Sequence, residues 1–422
     1  MSKEFVAEFP LAKGLVNSKQ APFDIPEFVK AQNILAGQTA LYPFNPTILF
    51  TGPCQVHQDG EVLWRITETE VIVQNLYTEE ILYTKPSLGG VWFFLAWGDG
   101  LVVVSTRGQY VVYSRNPNKF DDFSYTFPVA HYWTVYNGQL FYITDKIVKC
   151  SKIGQIDFTI DNTNEAGAVM LPSVGRAIEC IGTRLFAFCS DGLYAVNVGS
   201  QVLGLEFYKP FIIQHPYAIS SDTRRIVFVD HLGKVHSIWY NGESQTLGYD
   251  NVMTSKVQIV YSPALECYLI TLENSDVYLL SDYGLTSTTH KIYGAFFNEQ
   301  AQKVYCLGEE GLRRFELVSQ IWLFSQTSLK LLRELELHAD ITKSDSMSVS
   351  FILHYANGRS YHMPQYALKH TTTVVPNCTA SRVQYVLTGN ADSFTKMELV
   401  KLRWQRADYS HIRGADASSI AG

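Results

Sequence analysis

Evenly spaced histidines are the first residues of this chain whose type could do chemistry: His354, His362 and His370 recur at a constant interval. Imidazoles gathered on one sheet bind a transition metal only where further ligands converge on the same point. The Asn357-Gly358 pair between two apolar runs marks a tight hairpin. That turn brings His354 near Tyr361 and makes His354 and His362 diagonal cross-strand neighbours, without a third ligand at a fixed offset. They read as ordinary sheet histidines. Asp157, Asp161, Asn162, Asn164 and Glu165 form an oxygen-rich loop. It lacks the Asp-x-Asp-x-Asp-Gly order and closing Glu of a calcium loop, so a solvated connection is expected. Trp92, Phe93, Phe94, Trp97, Tyr132 and Trp133 are dense enough to stack sugars or bases, but their apolar neighbours point to packing between sheets. Arg224-Arg225 lies in a turn and Arg313-Arg314 starts a strand, where solvated or salt-bridged roles suffice.

No GxSxG, HExxH, GxGxxG or GxxxxGK[ST] occurs, so hydrolase, metalloprotease and nucleotide chemistry have no anchor. The expectation is a protein that is not an enzyme, with no catalytic, cofactor-binding or metal residues, no cofactor and no small-molecule substrate. Seven cysteines (Cys54, Cys150, Cys180, Cys189, Cys267, Cys306, Cys378) include no CxxC pair and read as buried reduced thiols. A net charge of -6 offers no global basic field for phosphate backbones. The start carries Lys3, Glu4 and Glu8 and lacks a signal-peptide core, which implies cytoplasmic synthesis and makes the Asn377-Cys378-Thr379 sequon a chance match. The apolar stretch 91–104 is broken by Gly98, Asp99 and Gly100 and is shorter than the roughly 18 residues of a membrane span. No integral membrane protein is expected.

The elements that must hold these residues announce themselves by repetition. Hydrophobic residues make up 46% of the 422 and aromatics 13%, a mix that favours strands. Residues 177–181, 185–189 and 193–196 read as three strands with a tight Asp191-Gly192 turn between the last two. The same phrase returns at 217–220, 226–230 and 235–239; at 257–261, 268–272 and 277–280; and at 293–297, 304–307 and 312–317. Upstream it is found at 133–136, 140–144 and 147–150, at 91–96, 101–105 and 110–113, and in worn form at 61–66 and 70–74. Variable polar stretches such as 240–254 are long enough for a fourth, outer strand. Turns about 35 to 45 residues apart are the spacing of propeller blades, in which each sheet covers the apolar face of the next. The fold expected is all-β: a β-propeller of about six or seven blades spanning 49–328. The Gly-His/Trp-Asp, kelch and Ser-x-Asp-x-Gly-x-x-Trp signatures are absent.

An N-terminal arm over 1–48 contains Pro22, Pro26 and Pro43, with a short helix expected over 26–36. Its Phe23, Ile25, Phe28, Val29 and Leu35 need a surface to cover. After the propeller, strands at 331–338, 348–355, 359–363, 382–387 and 397–404 define a small β-sandwich or sheet domain over 329–406, and 407–422 is a polar tail.

The arm, the unadvertised blades such as "AIECIGTRLFAFCSDGLYAVN", the linker "GQIDFTIDNTNEAGAVMLP" and the terminal sheet "SRVQYVLTGNADSFTKMELVKLRW" together resemble tail nozzle (hub) proteins of short-tailed bacteriophages. The resemblance implies a structural virion protein in the tail. Copies would form a homo-oligomeric ring below the portal and adaptor, carry the DNA exit channel without sequence-specific binding, and dock fibres or spikes. An acidic wall suits DNA passage, because a basic one holds DNA by counterion release. Two alternatives stand beside it: a cellular propeller scaffold for protein interaction, and a carbohydrate-binding or hydrolysing propeller, which would show convergent carboxylates on its axis.

Overall fold

Short apolar runs bounded by Gly-, Asn- and Asp-containing turns fold here into antiparallel strands, because each run can bury a face only against another run. The computed structural model describes residues 4–11, 14–15, 28–161, 165–199, 203–322, 329–340, 346–368, 373–391 and 395–406. Two units divide the chain: Thr47–Val277 with His290–Glu310, and Met1–Pro46 with Tyr278–Thr289 and Gly311–Gly422.

The first unit is the propeller, with six blades. Blade one is the meander Gln55–Asp59, Val62–Ile66, Glu70–Asn75 and Ile81–Pro86; blade two runs through Trp92–Trp97, Gly100–Ser105, Tyr110–Ser114 and Lys119–Asp121. Blade three is Tyr132–Tyr136, Gln139–Ile143, Ile147–Cys150 and Gly167–Met170; blade four is Gly175–Ile181, Arg184–Cys189, Gly192–Val198 and Leu203–Lys209. Blade five is Ile219–Ser221, Arg225–Val229, Val235–Trp239 and Ser244–Gly248, and blade six opens with Val257–Ser262 and Cys267–Leu272. A three-stranded sheet, Lys291–Asn298, Lys303–Glu309 and Thr47–Phe50, closes the ring, its last strand running parallel to the second.

Second strands are apolar on both faces, as their position between neighbouring blades requires: every residue of Gly100–Ser105, Gln139–Ile143 and Arg225–Val229 is buried. Phe186, Phe188 and Phe228 are fully buried in the core shared by blades three to five. The Leu232-Gly233 turn needs its glycine, since φ is +81° and a Cβ would lie 2.8 Å from the Met253 carbonyl oxygen.

Three expectations are corrected. Of the segment 26–36, residues 28–36 are not helical: Phe28–Gln32 and Ile34–Ala36 are strands, and Phe28 is buried within its own chain rather than left seeking a surface, while 26 and 27 lie outside the described residues. Glu4–Pro10 is likewise no free arm, since it pairs along its length with Met397–Arg406. Residues 312–317 do not complete a blade. Phe315–Ser319 pairs with Phe28–Gln32 and Arg382–Asn390 in the second unit, and Thr47–Phe50 takes the vacated place beside Lys303–Glu309. The domain boundaries at 48 and 328 therefore give way to a second unit built from three separated stretches of chain.

That second unit contains the strands expected after the propeller. Lys330–Ala339 and Met397–Arg406 pair in one sheet, and Ser346–His354 pairs with Arg382–Asn390 in another. Asn33 ties its three stretches together from a fully buried position with φ of +54°. Its Nδ2 donates to the carbonyls of Leu312 and Arg314 at 2.6 and 2.8 Å, and its Oδ1 accepts from Thr288 Oγ1 and the Thr289 amide. Phe23, Ile25 and the tail 407–422 lie outside the described residues.

Candidate functional site

The innermost strands of the propeller surround an axial cavity of about 410 Å³, to which all six blades contribute. Side-chain amides bind its wall together where the chain does not. Gln55 accepts from the Trp92 amide at 2.8 Å and donates to the Trp92 carbonyl at 3.1 Å, so it pairs with blade two as a strand backbone would. Gln58 does the same with Phe297 of the closing sheet, at 2.8 and 2.9 Å. Further round, the Tyr261 amide donates to Ser220 Oγ at 3.0 Å and the Ile259 amide to the Tyr217 carbonyl at 2.9 Å.

Glu179, on the first strand of blade four, is the one carboxylate among the described residues lining this cavity. It is 9% exposed. Tyr132 Oη donates to Oε2 at 2.9 Å, and Thr134 Oγ1 and the Cys180 amide donate to Oε1 at 3.1 and 3.0 Å. Burial raises its pKa against the pull of these donors, and burial beside Glu179 lifts the Tyr132 hydroxyl well above its ordinary range. The adjacent Cys180 thiol is pushed up to about 12 by desolvation and by Glu179, which keeps it a thiol at neutral pH. Across the cavity His57 stacks on Phe94 with ring centroids 4.5 Å apart. Burial lowers its pKa to about 4, so the ring is neutral at pH 7.

Residues singled out from sequence are dispersed. His354 has both nitrogens engaged at 2.8 Å, by Ser360 and Gln384, and pairs opposite Ser360 rather than Tyr361, while His362 is exposed opposite Ile352. His370 lies outside the described residues. In the oxygen-rich loop Lys152 Nζ sits between Asp157 and Asp161 at 2.9 and 2.6 Å, so an internal ammonium stands where a cation would; Asn162 and Asn164 are outside the described residues. Trp92 and Trp133 are buried in the cores joining blades one to two and two to three, with Phe94 and Trp97 packed against those cores; Phe93 and Tyr132 also pack toward blade four. Arg225 is not solvated: it is 3% exposed, with its guanidinium 5.2 and 5.5 Å from the Trp239 and Tyr268 ring centroids.

One arrangement was not legible from sequence. Thr246 Oγ1, His236 and Asp230 line up at 3.1 and 2.8 Å in the order of a nucleophilic relay. Asp230 Oδ1 is spent on the Leu232 and Lys234 amides, and the imidazole packs among Phe211 and Phe228. The axial cavity does not reach Thr246. The row braces the turn of blade five.

No family model and no curated protein matches the chain in sequence. Among solved structures it is similar to the β-propeller domain of Cps50 (Swd1) from Myceliophteria thermophila, at TM-score 0.39 and 12% identity, covering 56% of this chain and 85% of that one. Raptor from Chaetomium thermophilum is similar at 0.40 and 9%, covering 69% and 28%, and the computationally designed Ika8 protein at 0.38 and 10%, covering 84% and 99%. These likenesses are too distant to bear on function.

Proposed function

We propose that this chain is a structural, non-catalytic scaffold for docking other proteins, and that it works as a subunit of a closed ring of the tail-nozzle kind. The observation that carries the scaffold reading is the commitment of polar groups lining the axis to holding blades together: Gln55, Glu179 and Ser220 are each engaged by a neighbouring blade. Glycoside hydrolysis by the common mechanism needs two carboxyl groups about 5 to 10 Å apart, and among the described residues the axial cavity offers Glu179 alone.

The ring reading rests on the resemblance of the chain to nozzle proteins and on its acidic balance. In such a ring the exit channel is the lumen between copies. Among the described residues no helix is long and apolar enough to cross a membrane.

The test is to delete residues 407–422 and measure both the melting temperature and incorporation into particles. An unchanged melting temperature with lost incorporation supports docking through the tail; incorporation at the wild-type level contradicts it. Release of sugar from bacterial surface glycan by the purified protein would contradict the non-catalytic reading.

A further inference from the structure

Among the described residues lining the axial cavity, Glu179 is the one carboxylate and none is a lysine or arginine. Among the described residues Glu179 has no lysine or arginine as a hydrogen-bond or ion-pair partner. A desolvated carboxylate without a counter-charge is costly unless a cation or a proton joins it. Tyr132, Thr134, Ser221 and the Cys180 amide all donate to its oxygens, an arrangement that favours the ionised form. Around it the lining is aromatic: Phe94, Tyr132, Tyr217, Tyr261 and Tyr293 come from blades two, three, five and six and from the closing sheet.

From this juxtaposition we propose that the axial cavity binds a small organic ammonium ion, held over the aromatic rings with its charge facing Glu179. Ring faces attract such cations through their quadrupoles, most strongly where water is excluded. About 410 Å³ falls within the range of small-molecule sites. A bare metal ion fits less well. It needs several oxygen, nitrogen or sulfur ligands at one point, whereas Glu179 is already shared among four donors and the described residues hold no cluster of three His, Cys, Asp or Glu side chains suited to a metal. His57 is neutral at pH 7 and adds no competing charge. The inference is independent of the scaffold reading, since a ring subunit and a free propeller would both present this cavity.

The experiment titrates the purified full chain at pH 7 by calorimetry with choline, with its neutral isostere 3,3-dimethylbutanol, and with calcium chloride. Choline binding at least tenfold tighter than the isostere is expected, and the Glu179→Gln variant should lose about thirtyfold of it, as when a desolvated charge loses its partner. Because Glu179→Gln could disturb folding, wild-type discrimination between choline and the isostere stands as a separate reading, and a Tyr217→Ala variant, on another blade, should weaken choline alone. Equal affinity for choline and the isostere, calcium binding in preference to choline, or undiminished choline binding by a folded Glu179→Gln protein would each overturn the proposal.

Discussion

At the scale of single residues, burial decides what each titratable group does, and the propeller axis concentrates such groups. His57 has a folded pKa of about 4 against an ordinary 6.5, so the unfolded chain binds its proton first as pH falls. Stability contributed by neutral His57 is therefore complete above about pH 6.5 and is lost progressively towards pH 4, by up to about 3 kcal/mol. Urea denaturation at pH 7 and pH 4.5 checks this: His57→Phe should flatten the dependence, and an unchanged slope in that variant would refute the assignment. Phe188 is fully buried in blade four, and Phe188→Asp should cost about 3 to 5 kcal/mol by burying an unpaired carboxylate. A melting temperature equal to wild type would mean the strand register is wrong. Asp191, read from sequence as a turn residue, accepts hydrogen bonds from Ser173 and Tyr194. Its turn was legible, but these partners come from contacts that an Asp-Gly pair does not encode.

At the scale of elements, local pattern was sufficient wherever a strand pairs with its sequence neighbour. The hairpins at Asp191-Gly192, Leu232-Gly233 and Asn357-Gly358 stand where their turn residues put them. Pattern failed where pairing is remote. Phe28–Gln32 looked helical because Pro26 suits a helix start, yet its partner is Phe315–Ser319, nearly three hundred residues away, and β-structure depends on such context. Asn33 follows the same logic. It is a polar residue in an unremarkable segment whose role appears only when 288–289 and 312–314 meet it. Asn33→Leu should lose both amide functions and the tolerance for positive φ, costing about 3 kcal/mol or more in chemical denaturation; a loss within 0.5 kcal/mol, roughly what a surface change costs, would contradict its place at this junction. Gln58 mimics a strand edge between blade one and the closing sheet, and Gln58→Leu should destabilise the propeller by about 1 to 3 kcal/mol, measured the same way.

At the scale of the whole molecule, the repeat spacing made the propeller readable, because each blade is one local unit whose apolar faces demand neighbours. The second unit was readable only in part. Its C-terminal strands alternate clearly, but its assembly from three separated stretches has no local signature. The axial cavity was not readable at all: Glu179 lies in an ordinary apolar strand, and only closure of the ring brings it opposite His57. Ring assembly is the central claim, and mass in solution tests it most directly. Light scattering on the purified 422-residue chain, with electron micrographs of the same fraction, should give a multiple of 47.7 kDa and closed rings. A particle of 47.7 kDa at every concentration, with no ring in the micrographs, would contradict the account.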